Sequence, residues 1–438
     1  MFSNKHRDRM TKSILRAIFA MPFPPPPPPP HAKNSRNILI AVIIIIAIAI
    51  VTVGVYLATS IGGSNPFVAP TSTPSSGVIS TPSSTATPSG GSTGVVVKYK
   101  TVSYVDTEGI GTKAFSLLIP SDWQFEGNVN WVLNNPMMPG TVNIRVWNPT
   151  GTEELDVFPN QAFFWTDNPL VQQTNPPGST YFGALVHSPL GPIDALKEIS
   201  LPMFRSNVEN LKVVSEQELP ELAQLFKTGT DPTSGISYSA NGGKIRVEYS
   251  LNGVIMEDEM YCVIQSVKIP IQSIYGTVTS DNWYMTYLAS FRAEKGKLDS
   301  ESKTFQTIAF SILTDKNWLN KYNQLVNYLI QNQIRQIQSV GEFSRILSQM
   351  SNQISDENLK DWEQRQNVND QLVKNFCNQI LEIQPYTNPI DGTTVDLPSG
   401  YSSVWTNPLG EVVLGESPSF NPNIGSTMNW QPMTPATG

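Results

Sequence analysis

The sequence predicts an α+β protein tethered by a single transmembrane helix, and three observations carry that prediction. A charge-free apolar run extends from Ile38 to Ala58, β-branched and aromatic runs alternate with turn signals from Val95 onward, and apolar residues recur at helical spacing after Lys316. The expected order is a basic, proline-bearing head (1–37), the transmembrane helix (38–58), a Ser/Thr/Pro stalk (59–94), an α/β domain (95–313), a long helical hairpin or coiled coil (314–384) and a small C-terminal β unit (385–438).

The apolar run comes first. From Ile38 through Ile46 to Ala58 it covers about 31 Å as a helix, the thickness of a bilayer's hydrocarbon core. Only Thr52 and Gly54 interrupt it, and Tyr56 falls where an interfacial aromatic belongs. Basic residues precede it, and no Lys or Arg follows until Lys98, so the N-terminus is expected inside and the body outside the cytoplasm. A cleaved signal peptide would have a shorter apolar region behind a shorter head, which favours an uncleaved anchor. In the head, Phe23 precedes seven prolines, Pro24–Pro30, a polyproline II tract that reads as a spacer ahead of an EVH1 ligand. Met10, Ile14, Leu15, Ile18 and Phe19, set among Arg9, Lys12 and Arg16, suit a short basic helix on the inner leaflet.

The stalk offers almost nothing to bury and reads as an extended tether. Gly90-Gly91-Ser92-Thr93-Gly94 matches the hydrolase elbow only literally, because an elbow needs a strand and a helix on either side. No N-x-[ST] acceptor follows the stalk, which leans towards a prokaryotic source.

Strands are expected at Val95–Val105, Phe115–Ile119, Trp131–Leu133, Val142–Trp147, Leu155–Phe158 and Leu211–Val214, with helices at Ala195–Phe204, Glu216–Leu225 and Ser300–Phe310. The clearest local signal is a hairpin. Ile245, Val247, Tyr249 and Leu251 alternate with polar residues, Asn252-Gly253 supplies a type I′ turn, and Val254–Ile264 returns. That register sets Met256, Met260 and Cys262 on the apolar side, but it also sets Asp258 there and Glu248 opposite Glu257. A further strand is expected at Trp283–Phe291.

Phe115–Pro120 followed by Trp123, then a late strand and Phe305, Ile308 and Ile312, resembles the PsbP/Mog1-like domains over about residues 95–313. That resemblance implies an α/β/α sandwich with a central antiparallel sheet, and 135–191 would be an insertion in it. It also implies a binding or assembly role, since members of the group mostly act so.

After Lys316, the residues Leu319, Tyr322, Val326, Leu329, Val340, Phe343, Leu347, Met350 and Ile354 form one seam, expected as a helix of about 40 residues. A second helix follows Ser355-Asp356. The pair reads as a helical hairpin, or as a coiled coil that makes a homodimer through residues 316–354. Short strands are expected at Thr394–Leu397, Ser403–Thr406 and Glu411–Leu414.

Composition narrows the function. Residues 1–37 carry seven basic side chains against one acid, which leaves roughly -13 on the rest of a chain whose net charge is -7. An acidic body argues against nucleic-acid binding. His187 is the one histidine after the head and has no nucleophile motif beside it, so it reads as a loop residue. No phosphate-binding or dinucleotide motif occurs, and His187, Cys262 and Cys377 do not make a zinc site, so no cofactor or metal is expected. Asp391 and Asp396 lack the EF-hand pattern. Cys262 and Cys377 are an even pair outside the cytoplasm, which invites a disulfide; two buried thiols are the favoured alternative. Glu153-Glu154 and Glu257-Asp258-Glu259 are the carboxylates a glycosidase would use. The expectation is a non-catalytic, membrane-anchored envelope protein that binds a protein or glycan, with a carboxylate-dependent hydrolase of envelope glycan as the alternative.

Overall fold

A computed structural model of the chain describes residues 96–351 and 383–436, apart from 133, 136–137, 221–225, 227, 233, 274–275, 332–336 and 338. The expected membrane span 38–58, the head, the stalk, the helix after Ser355 and Cys377 lie outside the described residues. Among those described, no helix is long and apolar enough to cross a membrane.

The strands are β1 (Val96–Val105), β2 (Lys113–Pro120), β3 (Gln124–Trp131), β4 (Gly140–Trp147), β5 (Glu154–Val157), β6 (Gln161–Thr166), β7 (Thr180–Tyr181), β8 (Ala184–Val186), β9 (Glu209–Glu218) and β10 (Gly229–Thr230). They continue as β11 (Ser237–Leu251), β12 (Val254–Ser273), β13 (Gly276–Glu294), β14 (Leu313–Thr314), β15 (Ile383–Thr387), β16 (Thr394–Pro398), β17 (Ser403–Thr406), β18 (Glu411–Gly415), β19 (Gln431–Pro432) and β20 (Thr434–Pro435). The helices are α1 (Pro169–Thr174), α2 over 192–204, which passes through a π turn at Leu196–Ser200, α3 (Ser302–Phe310), α4 (Lys316–Gln331) and α5 (Val340–Ser351).

The largest sheet runs β10-β11-β12-β13-β5-β4-β3, with β9 added to β11 and β6 added to β13. The β11–β12 hairpin forms in the expected register, Leu251 opposite Val254, with Asn252 and Gly253 both in the left-handed region at φ 52° and 80°. Its arms run well past the expected Ile264. β13 pairs first with β6 and then with β5. The exchange falls at a bulge where Tyr287 takes φ 53° and the register to β12 shifts.

Each face of this sheet packs an apolar cluster against helices over part of its extent. On one, Ile144, Val146, Leu155, Val157, Tyr261, Val263 and Phe291 pack with Phe305 and Ile308 of α3 and with Trp318 and Tyr322 of α4. On the other, Ile245, Val247, Met256, Met260, Cys262 and Trp283 pack with Ala195, Leu196 and Leu201 of α2. Gly243 lets α2 start there, since a Cβ at that position would meet Pro192 at 3.0 Å. The Cys262 thiol donates to the Pro192 carbonyl at 3.5 Å, and burial pushes its pKa up.

A second sheet, β14-β2-β1-β18-β17-β19, joins the first and last described segments. β18 pairs along β1 from Val96 opposite Gly415 to Lys100 opposite Glu411. Tyr99 and Leu118 share a core with Leu397, Val404, Val412, Leu414 and Met433.

The fold class expected from the sequence is corrected here. The described residues are mostly β: strands outweigh helices rather than sharing the chain with them. The long helix expected from Lys316 to Ile354 is two short ones, α4 and α5, and the residues between them include non-helical Ile337 and Ser339. The reason is local. The Ser339 hydroxyl accepts from the Glu342 N–H at 3.1 Å and caps α5, so the chain starts a new helix there instead of extending the old one. The seam is thereby buried within the chain, as Leu325, Leu329, Ile337, Phe343 and Ile346 close on one another. The expected helix Glu216–Leu225 is corrected in part, because β9 continues through Glu218.

Candidate functional site

Two of the carboxylates singled out from the sequence, Asp258 and Glu154, meet in the large sheet. Pairing places Asp258, Arg292 and Glu154 in one row across β12, β13 and β5, and Ser290, Asp156, Arg145 and Glu126 in the next row across β13, β5, β4 and β3. Directly paired residues share a face, so these side chains lie on the face that α2 covers. Signs alternate along both rows.

Arg205, immediately after α2, closes the network. Its Nε donates to Asp258 Oδ2 at 2.6 Å, and its Nη2 donates to Ser290 Oγ at 2.6 Å and Asp156 Oδ2 at 3.4 Å. Its Nη1 donates to the Phe204 carbonyl, and the guanidinium lies 5.4 Å from the Phe158 ring centre. The Tyr249 hydroxyl donates to the same Asp258 oxygen at 3.1 Å, and Asp258 is fully buried. This accounts for the acid that the hairpin register sets on an apolar face. Glu154 Oε2 takes Arg292 at 2.7 Å and Arg145 at 2.8 Å, and Arg145 reaches the surface over the Trp147 ring at 4.6 Å.

Asp156 is the chemically distinctive member. Burial, and then the charge of Glu154, push its pKa up to about 7, outweighing the attraction of Arg205 and Arg292. It is a carboxyl that holds its proton near neutrality.

On the opposite face, Glu259 is held by Lys244 and Arg246, each at 3.1 Å, and by the Tyr261 hydroxyl. Arg246 also grips Asp299 at 2.6 Å. Glu248 does stand opposite Glu257, but Lys212 and Lys295 each reach it at 2.8 Å. Those two bonds draw its pKa down. Glu257 accepts from the Gly296 N–H, and Glu153 accepts from Asn148.

The remaining predicted positions stay apart from this cluster. His187 points Nδ1 at the Ser188 carbonyl, 2.7 Å away, and sets its ring edge to Phe163 and Trp283. Asp391 folds back onto Thr393. Among the described residues no group of three or more His, Cys, Asp or Glu side chains is arranged to hold a metal ion.

Sequence reasoning missed Arg205 and Asp156. The available signal was Asp258 itself, since a charge in an apolar register calls for a buried partner of opposite sign. No family model matches the chain, and no curated protein matches it.

Proposed function

We propose that this chain is a non-catalytic binding or assembly protein of the cell envelope, anchored by residues 38–58 with its N-terminus in the cytoplasm. One observation carries the reading. The acids a hydrolase would use are engaged as structural pins: Glu154 by two arginines, Asp258 by Arg205 and Tyr249, and Glu259 by Lys244, Arg246 and Tyr261. An acid held at fixed length by an arginine is poorly placed to exchange protons with a substrate. The PsbP/Mog1-like resemblance points the same way. Crosslinking and pull-down from intact membranes tests this, together with a glycan panel offered to the chain. Capture of a saturable partner without turnover is expected, and turnover of any glycan would overturn the reading. External protease on whole cells should remove the body and spare the head; the reverse would overturn the orientation.

A second reading, a carboxylate-dependent hydrolase of envelope glycan, draws on Asp156 alone. A carboxyl with its pKa near 7 has the property a general acid needs. On that reading Asp156→Asn abolishes turnover of the glycan panel.

A further inference from the structure

α2 covers only part of its sheet face. It begins over Gly243, and beyond that point, towards the β12–β13 turn, Lys268 and Thr230 of the same face are exposed. Register places Trp165 of β6, Asp281 of β13, Lys268 of β12, Ser237 of β11 and Thr230 of β10 in one row across five strands. At the usual strand spacing that row is about 19 Å long. Ser239 and Asn241 extend the same face of β11, both exposed. The row holds an indole, hydroxyls, and one acid beside one base.

Asp281 is the odd member. It is 3% exposed, and Ser266 donates to its Oδ1 at 2.6 Å. Its Oδ2 has no hydrogen-bond partner, and the Lys268 ammonium stands 4.0 Å away, beyond hydrogen-bond reach. Burial raises the Asp281 pKa, although Ser266 and Lys268 oppose it. A buried acceptor without a donor is uncommon in a folded protein. Asp258 Oδ1 is another here, but Asp281 Oδ2 differs in lying beside the exposed Lys268 side chain, where a donor from outside can reach it once that side chain moves. Lys268, with a side chain more than half exposed, is the neighbour able to move aside. Trp165 is part-exposed.

We propose that this row is a saccharide-binding subsite, taking a neutral, hydroxyl-rich glycan along the line Trp165–Asp281–Lys268–Ser237. A sugar's C–H face stacks on the Trp165 indole. A sugar hydroxyl donates to Asp281 Oδ2 and relieves the unpaired acceptor, while Lys268 and Ser237 donate to ring and hydroxyl oxygens. Charge selects the class. The single cation faces its own carboxylate, which disfavours anionic ligands, and one carboxylate is too few oxygens for a metal ion. The inference rests on the binding reading above and names its ligand.

The test is titration of the full chain in detergent with neutral oligosaccharides: cellotetraose, maltotetraose and the tetramer of N-acetylglucosamine. Saturable binding of at least one is expected, weakened tenfold or more by Trp165→Ala and by Asp281→Asn, and severalfold by Lys268→Met. Should Asp281→Asn lower the melting temperature, the other two variants, at partly exposed positions, carry the test. Absence of binding by all three oligomers overturns the saccharide assignment, while a protein partner recovered from membranes would still uphold the general binding reading. Binding that survives Trp165→Ala and Asp281→Asn undiminished overturns the site. Turnover of an oligomer overturns the binding reading itself.

Discussion

Replacing Asp156 by Asn tests whether the charged network at the sheet centre is as crowded as its geometry implies. Asp156 has an ordinary pKa of 3.8 when unfolded and about 7 in the folded chain, because burial and the charge of Glu154 oppose its ionisation. Below 3.8 it is protonated in both states. Between there and about 7 the unfolded chain releases the proton while the native state keeps it, so stability falls as pH rises through that window and levels off above it. Three pH units or so at about 1.4 kcal/mol each set a ceiling of about 4 kcal/mol. Asn has the same shape and cannot ionise. Urea unfolding of both proteins at unit steps between about pH 4 and about pH 8 measures the effect. The two should coincide at the acid end and diverge above, with the variant more stable by an amount approaching that ceiling. Curves that stay parallel across the range would refute the raised pKa and remove the main support for a proton-donating role.

Three further outcomes follow from the packing. Arg205→Ala leaves Asp258 buried without its counterion and should cost about 3–5 kcal/mol in the same assay, whereas the paired change Arg205→Met with Asp258→Leu should recover most of the loss. Asp106→Ala removes the acceptor of two indole N–H groups, Trp131 at 3.0 Å and Trp318 at 2.8 Å, and of the Ile110 N–H. It should destabilise the chain by about 2–4 kcal/mol and shift tryptophan fluorescence on unfolding to lower denaturant. Truncation after residue 382 removes β18 from β1 and strips Tyr99 and Leu118 of their cover, so the shortened chain should melt at lower temperature and bind a hydrophobic dye.

Local signals suffice where one rule decides the outcome. Asn252-Gly253 fixes a two-residue turn, the turn fixes the register, and alternation then assigns each side chain of the hairpin to a face. The C-terminal strands were equally legible. Their partner was not, because pairing β18 with β1 joins residues more than 300 positions apart, and no short-range pattern encodes that contact. The helical seam misled for a different reason. Apolar residues at spacings of three and four continue through both α4 and α5 whether or not the backbone turns between them, and the decisive cap is one hydroxyl, Ser339. Periodicity reports which face is buried without reporting where a helix ends.

The site shows the same division more sharply. Its acids are conspicuous in the sequence, since Glu257-Asp258-Glu259 interrupts an otherwise apolar run from Val254 to Ile264. Their roles depend on partners brought from other elements: Arg205 from the end of α2 for Asp258, and Lys244 and Arg246 of β11 for Glu259. Adjacent residues on a strand point to opposite faces, so three consecutive acids cannot form one site. Asp258 joins the network under α2, and Glu259 joins the one facing α3. A run of carboxylates that looks like a catalytic cluster in sequence is therefore divided by the pleat into two separate ion-pair networks, each closed by cations from a distance. Asp281 was not conspicuous at all, because its neighbours in sequence are ordinary. It becomes informative only when the strands are aligned and one of its oxygens is found without a donor.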